Sequence, residues 1–164
     1  YIHNFNNFYS KMISIRNIFM LNISHYKIIA IGKIKKKWIQ EGIEMYLKRL
    51  PGLEVIEIKD NNQSKEEHTI KEIIRKNEIL VTLNENGQSF TSKQLTTKLL
   101  NSHNQNIIFV IGGASGLSPS FNNSASWQLS LSPLTFPHEI ARLLLIEQLY
   151  RAKTITQGGP YHKE

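Results

Sequence analysis

The chain has 164 residues, 40% of them apolar, with five prolines and no cysteine. That is enough for one domain with a sizeable core and short of two. It excludes disulfides, thiolate metal sites and a cysteine nucleophile, and no run of about eighteen apolar residues is present to span a membrane. The net charge of +7 points to a polyanionic partner.

The excess charge is local. Residues 1–40 carry seven Lys or Arg and no acid, whereas residues 41–164 carry 13 of each sign. Residues 1–24 begin with Tyr and are rich in Asn, Phe and Ile. They read as an extension upstream of a start near Met20, in preference to an organelle transit peptide, because Arg and Ser are scarce there. One folded domain is expected over 25–164.

The elements follow in regular order. Tyr26–Ile31 is a short apolar strand ending at Gly32. The cluster Lys33, Lys35, Lys36 and Lys37 then occupies a strand-to-helix junction, which suits phosphate contact or is simply a solvated helix start. In 35–50, Ile39, Ile43, Tyr46, Leu47 and Leu50 fall at helical spacing, and Pro51-Gly52 stops the helix. Leu53–Lys59 alternates as an edge strand does. Asp60–Ser64 reads as a loop and 65–76 as a helix with Ile70, Ile73 and Ile74 inward. Ile79–Leu83 is a third strand, closed by the polar turn Asn84–Gly87, and 91–100 a helix capped by Ser89 or Thr91. Ile107–Ile111 is the most apolar strand and so should be central. A short helix over 118–125 and a fifth strand, Trp127–Leu131, lead to a final helix with Pro137 in its first turn, reaching about Tyr150. Alternating strands and helices imply an α/β fold, a mostly parallel sheet flanked by helices. The final helix is apolar on more than one face, which predicts a homodimer through it.

Candidate chemistry gathers in the last third. Glycines at Gly112, Gly113 and Gly116 follow the central strand, where backbone N–H groups of open α/β sheets meet ligands. They also suit an ordinary turn, and their spacing is not the dinucleotide fingerprint. Leu129–His138 is irregular, with Ser132, Pro133, Leu134, Thr135 and Phe136 in sequence, and beside the glycine turn it has the length to wrap an adenosine-sized ligand. Arg142 and Arg151 bracket the last helix. Gly158-Gly159-Pro160 turns the chain before Tyr161 and His162, residues suited to base stacking and to proton transfer near neutrality. Terminal fraying or surface capping are the plainer readings of His138 and His162. No metal site is expected, since neither histidine has a second ligand at metal-binding spacing.

Taken together, VTLNENG (81–87), FVIGGASGL (109–117), LSLSPLTFPHEIARLLLIEQLYRA (129–152) and PYHKE (160–164) resemble one family. It is that of the trefoil-knotted SPOUT methyltransferases that modify N3 of a pseudouridine in large-subunit ribosomal RNA. The resemblance runs from about Tyr26 to Glu164. It implies a C-terminal trefoil knot (the SPOUT, or α/β-knot, fold) and S-adenosylmethionine as cofactor, held by Leu83, Gly112 and Leu131–Phe136. It further implies a cytoplasmic homodimer with no membrane association, acting on pseudouridine 1915 of 23S rRNA in the assembled ribosome. On this reading His162 or Tyr161 orients or deprotonates the base, and Arg142 or Arg151 meets an RNA phosphate. Lys35, Lys36, Lys37 and His138 are further RNA contacts. The chain departs from the family at Asn84, a position usually acidic, which puts a catalytic carboxylate there in doubt.

Two other readings compete. One is a different RNA methyltransferase of the same fold, with a like cofactor site and another tail. The other is a silent RNA-binding module using the lysine cluster. A nicotinamide enzyme is disfavoured by the missing first-strand fingerprint.

Overall fold

The structure, a computed structural model, describes residues 20–163. Five strands, β1 (Tyr26–Ile31), β2 (Glu54–Ile58), β3 (Ile79–Ser89), β4 (Ile107–Ile111) and β5 (Trp127–Ser130), form one sheet in the order β2-β1-β4-β3-β5, and every pair is parallel. The helices are α1 (Lys37–Leu47), α2 (Gln63–Ile73), α3 (Ser92–Leu100), α4 (Pro119–Ser124) and α5 (His138–Thr156).

Strand side chains alternate between two cores. Tyr26, Ile28 and Ala30 of β1, with Ile107, Phe109 and Ile111 of β4, pack against Ile39 and Ile43 of α1, Leu95 and Leu99 of α3, and Leu145, Ile146 and Leu149 of α5. Ile29, Ile31, Ile108 and Val110 point the other way, onto Ile70 of α2 and Phe121 of α4. With both faces covered, β4 must be apolar throughout, and all five of its residues are buried. The alternating β2 sits at an edge, as its pattern predicts.

Several boundaries move. Leu21 and Ile23 lie before the expected start at 25, yet both are buried in the core beneath α1 and α5. Residues 1–19 of the expected extension lie outside the described residues. Helix α2 begins at Gln63 because the Asn62 side chain accepts from Lys65 N–H at 3.0 Å, capping a turn inside the expected loop. Thr91 and Gln94 make a reciprocal capping box at the start of α3. Helix α5 runs to Thr156 and stops in a Schellman turn. Gly158 there takes φ +66°, Gly158 N–H bonds Ile155 C=O at 3.1 Å, and Gly159 N–H bonds Thr154 C=O at 2.9 Å. That turn sends the tail back along its own helix.

Candidate cofactor cradle and C-terminal tail

Because β4, β3 and β5 are adjacent and parallel, their carboxyl ends share one edge of the sheet. Register places Thr82 beside Val110 and Leu83 beside Leu129. Leu83, Gly112 and the 131–136 segment, expected to act together, are therefore brought to neighbouring strand ends. Strand β3 does not end at Leu83. Leu83 and Gln88 both register with Leu129, so Asn84–Gly87 bulges out of the ladder and pairing resumes at Gln88 and Ser89.

The bulge braces the segment after β5. Ser130 Oγ–H donates to Glu85 C=O at 3.0 Å, and Thr135 Oγ1–H donates to the Glu85 carboxylate. Asn84 turns away to donate to Gln128 Oε1 at 2.8 Å. The carboxylate at this edge thus belongs to Glu85, one residue beyond the usually acidic position. Sequence reading passed over Glu85 because its partner lies 50 residues away in a loop. Ser132 Oγ accepts from Leu134 N–H at 3.1 Å, and the Leu134 side chain is 70% exposed beside this rim.

On the opposite side, the Gly112–Gly116 turn closes with Gly116 N–H on Gly113 C=O at 3.0 Å. A Cβ on Gly112 would lie 2.9 Å from the Gly116 carbonyl carbon and 3.1 Å from its Cα, so only glycine allows this approach. Helix α2 fixes the turn from outside. Gln63 Nε2–H donates to Gly116 C=O at 3.1 Å, and the buried Glu67 accepts from Ser118 N–H at 2.6 Å and Ser118 Oγ–H at 3.0 Å. Two loops, one closed at Gly112 and one braced by Glu85, flank the end of β3. This is a cradle suited to a nucleoside-sized ligand.

The basic loop after β1 meets the start of α5. Glu139 Oε2 accepts from Lys35 N–H at 3.0 Å and Lys36 N–H at 3.3 Å. Burial alone would raise the Glu139 pKa; those two bonds, with His138 and Lys36 nearby, outweigh it and hold the carboxyl below its ordinary value. His138 packs at Gly32, its Nε2 3.2 Å from where a Cβ would stand. The side chains of Lys35, Lys36 and Lys37 are exposed, as is Trp38 beside them at 57%.

Arg142 requires a correction. It is 1% exposed, with Nη1 2.5 Å from Glu57 Oε1 and Nη2 donating to Gly32 C=O at 2.7 Å. Its guanidinium ties α5 to the ends of β1 and β2 and faces no surface that a phosphate reaches. Read from sequence, an arginine in an apolar helix signals chemistry; its partner Glu57, 85 residues earlier, shows a structural ion pair instead.

The tail is built around Glu147. Its Oε1 accepts from Arg151 Nε–H at 3.0 Å, Arg151 Nη2–H at 2.5 Å and Tyr161 O–H at 3.1 Å. Tyr161 also shares a hydrogen bond with Tyr46 at 3.0 Å and packs edge-on against Tyr150. The Arg151 guanidinium lies 4.7 Å from the Tyr161 ring centroid, and its Nη1 is 3.4 Å from His162 Nδ1. Burial first, then Tyr46 and Glu147, push the Tyr161 hydroxyl above its ordinary pKa. Within one chain the tail and the cradle stay apart. Ten residues of α5 separate Glu147 from Pro137, about 15 Å at 1.5 Å per residue.

Among the described residues, no cluster of three or more His, Asp or Glu is placed to hold a metal ion, and no helix is long and apolar enough to cross a membrane. A family profile described as "Predicted SPOUT methyltransferase" matches residues 24–162. A protein of Prochlorococcus marinus strain NATL2A is 92% identical over 145 residues, covering 88% of this chain and 100% of its own length; it is named ribosomal RNA large subunit methyltransferase H. Proteins of the same name from Prochlorococcus marinus strain MIT 9211 and Synechococcus sp. strain CC9311 are 54% and 52% identical, covering 88% and 87% of this chain and 99% of their own lengths. A solved structure from Haemophilus influenzae Rd KW20, a probable methylase family protein, shares the fold with a TM-score of 0.59 at 12% identity, over 87% of this chain and 72% of that one.

Proposed function

The chain belongs to the SPOUT methyltransferase family, and on that premise we propose that it methylates 23S rRNA with S-adenosylmethionine, at N3 of pseudouridine 1915 in the assembled ribosome. The observation that carries the cofactor reading is the close-packed turn at Gly112, which with Leu83 and Leu131–Phe136 forms the cradle at three adjacent strand ends. The name shared by relatives from 52% to 92% identical supports the rRNA substrate. The route of the chain fits the expected trefoil knot, since 130–135 passes against the 84–87 bulge before α5 crosses back beside α1 and α3.

S-adenosylmethionine, when bound, supplies a methyl group already activated as a sulfonium. The protein's share is then alignment and water exclusion. Leu83, Gly112, Leu131, Ser132, Pro133, Leu134, Thr135 and Phe136 hold the cofactor. Lys35, Lys36, Lys37, His138 and Arg151 meet RNA, and Tyr161 and His162 face the substrate base. The tail's distance from its own cradle favours a homodimer in which the partner's tail completes each site. Mass mapping of rRNA from a strain lacking its own enzyme of this family is the test. Expression of this chain restores one N3-methyl-pseudouridine; restoration of a different mark, or none, overturns the proposal. Calorimetric titration with S-adenosylmethionine tests the cofactor separately, and absence of binding favours a silent RNA-binding module.

A further inference from the structure

We infer that His162 acts as a hydrogen-bond donor to the substrate base through Nε2–H, and that neither His162 nor Tyr161 removes the N3 proton; this rests on the N3-methyltransferase reading. The geometry behind it is the contact of Arg151 Nη1 with His162 Nδ1 at 3.4 Å. A guanidinium has only donors and keeps its charge throughout the working pH range. The ring nitrogen facing it therefore presents a lone pair, which places the ring hydrogen on Nε2.

Arg151 is not free to turn aside. Glu147 grips it through both Nε and Nη2, and the Tyr161 ring lies against its face. Protonating Nδ1 would set N–H against N–H at this contact. Arg151 and Lys163 are cationic. Glu147 is the one anion on α5 facing this group, and its oxygens are taken, Oε1 by Arg151 and Tyr161 and Oε2 by Gln148 Nε2–H at 2.7 Å. Tyr46 on α1 and Tyr161 are neutral phenols bonded to each other, and Tyr161 gives its own proton to Glu147. Neither Tyr161 nor His162 thus offers a basic lone pair to the substrate.

The substrate chemistry accommodates this. When N3–H of the imide loses its proton to solvent, the charge spreads over N3 and the two flanking carbonyl oxygens. An Nε2–H aimed at one of those oxygens stabilises that anion and fixes the plane of the ring. N3 then takes the methyl carbon, and the electron pair of the broken S–C bond stays on sulfur.

The test is single-turnover methyl transfer to unmodified ribosomes across pH, for wild type, His162→Ala and His162→Gln. Glutamine places an N–H close to the Nε2 position but cannot act as a base. The expected result is that Ala loses roughly 10- to 100-fold, the worth of a hydrogen bond to a developing charge. Gln recovers most of that loss, and the wild-type rate climbs with pH as the imide ionises, with no acid break that the Gln variant lacks. The donor role is overturned if Gln is as slow as Ala, if Ala keeps the wild-type rate, or if wild type shows an acid break that both variants lack. Cofactor titration verifies that each variant is folded. Long-range proton–nitrogen correlation spectra of the imidazoles give an independent reading, since a protonated Nδ1 on His162 also overturns it. Failure of wild type itself to methylate ribosomes sinks the parent reading instead, and the same assay shows it.

Discussion

Truncating Arg142 should destabilise the protein while leaving its affinity for ribosomes intact. Three interactions disappear in Arg142→Ala: the ion pair to Glu57 at 2.5 Å, the hydrogen bond to Gly32 C=O at 2.7 Å, and the packing of a side chain that is 1% exposed. Breaking a fully buried pair costs about 3–5 kcal/mol because the remaining charge is stranded. The Glu57 side chain is 40% exposed and rehydrates, which pulls the figure to the lower end. The buried Gly32 carbonyl, left without this donor, adds about 1–2 kcal/mol. Against this, Arg142 Nε is buried with no partner, and its removal returns roughly 1 kcal/mol of desolvation.

The net expectation is a loss of about 3 kcal/mol, or a fall in Tm on the order of 10 °C for a domain of this size. Urea melts of Arg142→Ala, Glu57→Gln and the double variant, at one fixed protein concentration, measure it. The double-mutant cycle should return a coupling of about 1–2 kcal/mol. Ribosome affinity measured well below the melting range should not change. If Arg142→Ala melts within about 0.5 kcal/mol of wild type and loses ribosome binding, the residue meets RNA and the structural argument is wrong.

Gly112→Ala forces a Cβ to within 2.9 Å of backbone in the Gly116 turn, so the cradle must shift. Calorimetry should show cofactor affinity falling at least about tenfold, and unchanged affinity would place the cofactor elsewhere. The Glu139 pKa is depressed on folding, below its ordinary 4.5, so its contribution to stability is full above that value and is lost as pH falls through the lower folded value. Glu139→Gln should therefore melt earlier than wild type at pH 7, with the gap closing in acid. A gap independent of pH would show that the Lys35 and Lys36 bonds do not depend on the charge. A shared site predicts that, at limiting cofactor, mixing a His162→Ala subunit with a Gly112→Ala subunit gives activity well above that of either variant homodimer. No recovery in isolated heterodimers would mean that each tail serves its own cradle.

How much of this is legible in the sequence depends on how far each residue's partner lies along the chain. β4 reads directly because burial on both faces demands an unbroken apolar run, and β2 because its edge position leaves Glu54 and Glu57 exposed among its apolar residues. The Thr91 cap reads because Gln94 sits three residues on. The bulge after Leu83 does not, because its pairing resumes at polar Gln88 and Ser89 against β5, some 40 residues away. Arg142 misleads for the same reason: its polarity is visible in the helix, and its compensation by Glu57 and Gly32 is not. The tail shows both sides of the rule. Its residue types make Tyr161 and His162 candidates for chemistry, and the Gly158-Gly159 turn marks a reversal. What those groups can do is set by Arg151 and Glu147, one turn apart on a helix whose sequence looks merely apolar. An arginine held by a glutamate decides which nitrogen of the neighbouring imidazole carries the proton, and that decides whether the ring can be a base at all.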